Sequence, residues 1–186
     1  MNLFKSALLF ALLLVSLSVP TTAQSALISE SFSWTGENGY QASGTFIYDN
    51  SYSLISVDDG GDNQGLNRLE INFFNPSHAL LYNRVNVQDG DVLYNYLDFY
   101  FNTATKSFER YFDMGEDTGT PGEYYLAGDI GGESHMTRVS DYEEIDHKYD
   151  TSINVGTSAV PEPSTYALFS LGLGGLALWK RRQKKA

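Results

Sequence analysis

An antiparallel all-β domain, a sandwich of jelly-roll-like or immunoglobulin-like kind, is predicted for residues 24–156 by three features of the sequence. β-Branched and aromatic residues recur in short runs. Clusters of Gly, Asn, Asp and Pro separate those runs. The periodicity of an amphipathic helix is weak throughout.

Taken in order, strands are predicted over 31–35, 40–48, 52–57, 66–74, 79–87, 92–101, 107–112, 124–130 and 136–142, with a further one over 145–155. The clearest alternation turns Arg68, Glu70 and Asn72 to water and Leu69, Ile71 and Phe73 to a core. A second places Leu97, Phe99 and Phe101 on one face and Tyr94, Tyr96, Asp98 and Tyr100 on the other. A hairpin closed by residues 102–107 would set Phe101 opposite Phe108, Leu97 opposite Phe112 and Asp98 opposite Tyr111.

Both ends lie apart from this domain. Lys5, an apolar stretch of about 13 residues from Ala7 to Val19, and small residues ending at Ala23 describe a secretory signal peptide over residues 1–23, cleaved after Ala23. That apolar stretch is short for a membrane span. The other end, residues 157–186, has three parts. Val160, Pro161, Glu162 and Pro163 form a stiff segment, because each proline fixes its own φ and disfavours helix at the residue before it. Residues 164–179 are apolar and would make about 24 Å of transmembrane helix, slightly short of the hydrocarbon thickness. Residues 180–186 carry Lys180, Arg181, Arg182, Lys184 and Lys185, whose stems can snorkel and whose charges belong on the cytoplasmic side. One topology satisfies both ends, with the folded part outside the inner membrane.

Residues 24–159, between the leader and the proline-rich segment, number roughly 136, enough for one buried core. Six of the chain's 12 basic residues, but only Glu162 of its 23 acidic ones, lie outside this part, so it carries a charge of about −16. Such a surface repels nucleic acid and draws cations. The chain has no cysteine, which excludes disulfides, cysteine-ligated zinc and a thiol nucleophile.

The tail's order of proline-flanked glutamate, short apolar span and terminal basic run closely resembles the PEP-CTERM sorting signal of Gram-negative exported proteins, over about the last 27 residues. The resemblance implies that an exosortase, a membrane-embedded cysteine transpeptidase-like enzyme, recognises Pro161-Glu162-Pro163 and removes the tail. Delivery to the cell surface or matrix would follow. The tripeptide would be substrate, not catalyst. An ordinary single-span anchor with a proline-rich stalk meets the same generic physics, but the tripeptide abutting the span at the chain's end favours sorting. Members of the family often accompany exopolysaccharide production, and their passenger domains are diverse. The segment 36–50, GENGYQASGTFIYDN, also resembles the opening of other such passengers, where a Gly-aromatic pair precedes a GTFxYD-like strand.

Candidate sites in the passenger are few. Tyr94, Tyr96, Tyr100 and Tyr111 could stack on the C–H faces of a sugar while Asp98 and Glu109 accept its hydroxyl protons, although tyrosines that merely cover a sheet or loop are the commoner case. Asp58, Asp59 and Asp62 in one glycine-rich loop, and Asp113, Glu116 and Asp117 in another, raise the question of calcium, which takes six to eight oxygens. Neither loop has EF-hand spacing, and solvated turns are the favoured reading. No other cofactor is expected. His78, His135 and His147 show no zinc-hydrolase spacing, and His147 with Glu143, Glu144, Asp146 and Asp150 reads as an exposed acidic stretch. Neither a GxSxG elbow nor a phosphate loop occurs. The leading expectation is a non-enzymatic surface or matrix protein, followed by a carbohydrate-binding module for exopolysaccharide, with a hydrolase third.

Overall fold

The computed structural model describes residues 26–157. Ala23 and the leader before it, the sorting segment with Val160, Pro161, Glu162 and Pro163, the span 164–179, and Lys180, Arg181, Arg182, Lys184 and Lys185 lie outside the described residues.

Among the described residues the regular structure is entirely strand. In chain order the strands are β1 (Leu27–Thr35), β2 (Gln41–Asp49), β3 (Leu54–Val57), β4 (Asn63–Gln64), β5 (Leu66–Phe74), β6 (Leu80–Gln88) and β7 (Asp91–Val92). They continue as β8 (Phe99–Asn102), β9 (Ser107–Phe108), β10 (Tyr111–Gly115), β11 (Tyr124–Asp129), β12 (Ser134–Arg138), β13 (Glu143–Lys148) and β14 (Asn154–Thr157). Every pairing is antiparallel. The first sheet runs β14-β1-β2-β5-β6-β7, the second β4-β3-β8-β9 and the third β10-β11-β12-β13. The all-β antiparallel expectation holds.

All three sheets feed one aromatic core. Phe46 on β2 meets Phe101 at 4.8 Å, Phe99 at 5.3 Å and Phe108 at 5.8 Å, each edge-on. Edge-on contact suits rings with negative faces and positive rims. On β5, Leu69, Ile71 and Phe73 are buried while Arg68, Glu70 and Asn72 are not, as their alternation predicts. The third sheet contributes Phe112, Met114, Leu126 and Met136.

Two polar clasps lock the sheets together. Asn86, buried on β6, accepts the Gly115 N–H at 3.0 Å and donates to the Gly115 carbonyl, tying the first sheet to the third. Gly115 has φ 125°, and a Cβ there would overlap the Tyr124 carbonyl, so glycine is required on both counts. Asp146 on β13 accepts the amides of Asn38 and Tyr40, each at 2.9 Å, and so holds the turn between β1 and β2. Gly36 lies so close to that carboxylate that any side chain would collide with it. Asp146 is only 1% exposed, so the solvated acidic stretch expected around His147 is corrected at this residue.

Other expectations change where the backbone leaves the extended region. The strand expected over 92–101 is broken: β7 ends at Val92, and a turn bonded from the Leu97 N–H to the Tyr94 carbonyl (3.2 Å) precedes β8. The strand expected over 107–112 splits into β9 and β10 because Arg110 adopts φ 63°. Phe101 does pair with Phe108. Beyond Arg110 the register slips by two, so Asp98 pairs with Asp113 instead of Tyr111, and Leu97 no longer faces Phe112. The segment 145–155 divides into the end of β13 and β14 around Asp150, which has φ 52°. The short β4 was not expected.

Candidate functional site

A cleft of about 590 Å³ opens on the outer face of the third sheet. Period-two alternation builds its floor: Phe112 and Met114 point into the core, so Tyr111 and Asp113 point out. Asp113 pairs with Ala127 on β11, and Ala127 with His135 on β12, which makes one row across the floor. The small Ala127 side chain leaves the row hollow, and Tyr125 borders it two residues away. One wall is the turn after β7, with Tyr94, Tyr96 and Asp98; Asp59 from the β3–β4 turn adjoins it. Opposite stand Asp117, Thr118 and Gly119 from the loop after β10, with Tyr142 from the β12–β13 turn.

Hydrogen bonds fix these walls. The Tyr94 hydroxyl donates to Asp113 at 3.2 Å, and the Tyr142 hydroxyl donates to Asp117 at 3.0 Å. Asp98 and Asp113 exchange backbone bonds of 3.1 and 2.9 Å, which holds the turn against β10. The Asp59 amide donates to the Asp98 carboxylate at 3.3 Å. Glu123, buried below the loop after β10, accepts the Thr118 amide at 2.9 Å and the Thr120 amide at 3.1 Å.

The acidity of the cleft is strained by burial. Burial pushes the Asp113 carboxyl up to about 7; the Tyr94 bond opposes this, while the charges of Asp98, Asp117 and Asp59 reinforce it. Burial also raises Asp98, with the Asp59 amide working against it and the charges of Asp59 and Asp58 with it. The Tyr111 phenol is pushed up to about 12, first by burial and then by Asp113. Tyr94 is raised further by burial and by Asp113, so both phenols stay protonated donors near neutrality.

Of the four tyrosines singled out from the sequence, the fold brings Tyr94, Tyr96 and Tyr111 to this cleft and Tyr100 elsewhere. The Tyr100 hydroxyl donates to Asp58, and the Arg110 guanidinium lies 5.3 Å from its ring. Tyr94 is also not on an outward strand face. The turn at residues 95–96 puts it three residues from Leu97 on the buried side, so it is 3% exposed while Tyr96 is 57% exposed. Glu109 accepts from Asn102 at 2.8 Å, away from the cleft. Tyr125 and Tyr142 were missed; the alternation of Tyr125 with buried Leu126 was the available signal for the first.

The carboxylates weighed for calcium have other surroundings in the two loops. In the first, the Asp58 amide donates to the Asp62 carbonyl at 3.1 Å, the Gly61 amide closes the turn on the Asp58 carbonyl at 2.9 Å, and the Asp58 carboxylate is taken by Tyr100. Asp59 faces the cleft and Asp62 is exposed. In the second, Asp113 is bonded to Tyr94, Glu116 pairs with Arg84 at 2.6 Å, and Asp117 is bonded to Tyr142. Among the described residues no three His, Asp or Glu side chains are arranged to hold a metal ion.

A family model for the PEP-CTERM protein-sorting motif matches residues 159–182. This chain carries a PEP-CTERM sorting motif. The matched residues include Val160, Pro161, Glu162 and Pro163, the apolar run, and Lys180, Arg181 and Arg182. The PEP-CTERM motif implies export, membrane-associated sorting and processing by an exosortase. Comparisons with curated proteins and with solved structures gave no match. The PEP-CTERM motif therefore bears on the route of the chain.

Proposed function

We propose that this is an exported cell-surface or matrix protein, without catalytic activity, which an exosortase frees from or joins to the outer surface by removing its tail. On this reading the leader directs export through the Sec route, and the span holds the folded part in the periplasm until the tail is cut. The observation that carries it is the sorting motif at residues 159–182. The test is replacement of Pro161, Glu162 and Pro163 by alanine in the native host. Precursor should accumulate in the inner membrane, and mass spectrometry of the normal mature protein should find Lys184 and Lys185 gone. Equal processing of the variant defeats the proposal.

The cleft favours a second, compatible reading: the folded part binds a saccharide of the exopolysaccharide matrix. Tyr96 and Tyr111 present exposed rings for stacking, and Asp98 and Asp113 line the same hollow as acceptors. Retention on polysaccharide that is lost in Tyr96→Ala and Tyr111→Ala variants supports this reading, and unchanged retention removes it.

A further inference from the structure

The cleft has an unusual charge balance. Asp59, Asp98, Asp113 and Asp117 line it, and among the described residues no lysine or arginine does. Four of the six lysines and arginines among the described residues are paired elsewhere: Arg68 with Glu70 at 3.0 Å, Arg84 with Glu116 at 2.6 Å, Lys106 with Glu30 at 2.9 Å and Arg138 with Asp141 at 2.7 Å. Arg110 lies against the Tyr100 ring. The carboxylates of the cleft thus gather in a partly buried hollow whose lining, among the described residues, holds His135 but no lysine or arginine; burial first, and then the neighbouring carboxylates, raise Asp113 and Asp98.

The remaining lining is aromatic. Tyr94 and Tyr96 meet edge to face at 5.9 Å, and Tyr111, Tyr125 and Tyr142 border the same hollow. Tyrosine faces attract organic cations, and carboxylates beside them add charge and acceptors for N–H groups. Asp113 accepts from Tyr94, and Asp98 from the Asp59 amide and the Tyr100 side chain; a carboxylate's lone pairs leave both with acceptor capacity. A compact metal ion is poorly served here, because among the described residues no three carboxylates converge on one point. An ammonium group carried on a ring that can stack is well served. A uronate or sulfated glycan would bring like charge against four aspartates.

Building on the saccharide reading of the cleft, on which this depends, we infer that it takes an amine-bearing saccharide, a glycan with free-amine hexosamine units whose ammonium sits between Asp98 and Asp113 while its ring lies against Tyr111 or Tyr96. Removal of an acetyl group from the sugar nitrogen turns a neutral amide into the cation the hollow lacks. The cleft therefore discriminates between acetylated and deacetylated forms of one polymer.

The experiment is isothermal titration of the full chain in detergent micelles at neutral pH with three probes: a glucosamine tetramer, its fully N-acetylated counterpart, and tetralysine. The free-amine tetramer should bind at least about tenfold more tightly than either of the others, the scale expected of one partly desolvated cation contact with rings and carboxylates. Asp113→Asn and Asp98→Asn should each erase about that preference while circular dichroism shows the fold intact. Equal binding of the amine and acetylated tetramers overturns amine selection and leaves the saccharide reading standing. Tightest binding of tetralysine assigns the hollow to peptide cations and overturns both, as does binding of no probe. Retained preference in both aspartate variants overturns the assigned residues.

Discussion

The Tyr94 hydroxyl and the Asp113 carboxylate, 3.2 Å apart, join a buried turn residue to the floor of the cleft. Asp113 is faced by Asp98, Asp117, Asp59, Tyr94, Tyr111, Tyr125 and His135. Its carboxyl is pushed from the ordinary Asp value up to about 7, so the folded state holds this proton more tightly than the unfolded chain does. The stability this contributes is complete below pH 4 and is lost as pH rises through about 7. Thermal melts of the wild type should therefore fall over that window more steeply than those of Asp113→Asn. Tyr94→Phe, which removes the opposing donor, should move the end of the window upward.

Glu123 should act in the opposite sense. Burial alone would raise it, but the Thr118 hydroxyl and amide and the Thr120 amide outweigh burial and hold it below the usual Glu value. Stability from this group is present above the ordinary Glu value and is lost as pH falls through the lower folded one. The protection factors of the Thr118 and Thr120 amides, exchange rates taken relative to the unfolded chain at the same pH, should fall on acidification. In Glu123→Gln the protection of these two amides should be lower than in the wild type at neutral pH and should no longer change through the carboxylate range.

Phe46→Ala empties the point where the first two sheets meet, since its ring touches Phe99, Phe101 and Phe108. A loss of about 3–5 kcal/mol in urea unfolding is expected. Phe46→Leu should cost clearly less, because most of the volume is kept.

Asp146→Ala should leave the Asn38 and Tyr40 amides unpaired below a close-packed turn. About 1–3 kcal/mol of stability should be lost. The same two amides should lose their protection in exchange measurements, while those of β5 keep theirs.

Wherever one face of a strand is buried, the sequence shows it. Leu69, Ile71 and Phe73 alternate with Arg68, Glu70 and Asn72 because β5 is wet on one side, and the structure reproduces that pattern. Phe101 and Phe108 were paired correctly because the turn between them is short and local. Arg110 left no trace in the sequence: a left-handed arginine carries no composition signal, yet it shifts Asp98 onto Asp113. Tyr94 was misplaced for a related reason, because a turn within an aromatic run replaces the period of two with a spacing of three. Asp146 looked solvated because four other charges surround it in sequence, whereas its partners, Asn38 and Tyr40, lie over a hundred residues away. Three tyrosines of the cleft were legible as residue types, but Tyr125 and Tyr142 reach it only through the pairing of β11 and the β12–β13 turn.

The last strand, β14, is hydrogen-bonded into the edge of the first sheet as far as Thr157, paired with Glu30 on β1. From there to Glu162 the chain can reach at most roughly 17 Å, even drawn straight. A tether that short gives the folded body almost no slack. An enzyme gripping the tripeptide must work in the shadow of the β1–β14 edge, so bulky additions at that edge should hinder cutting more than additions at the tyrosine-lined mouth.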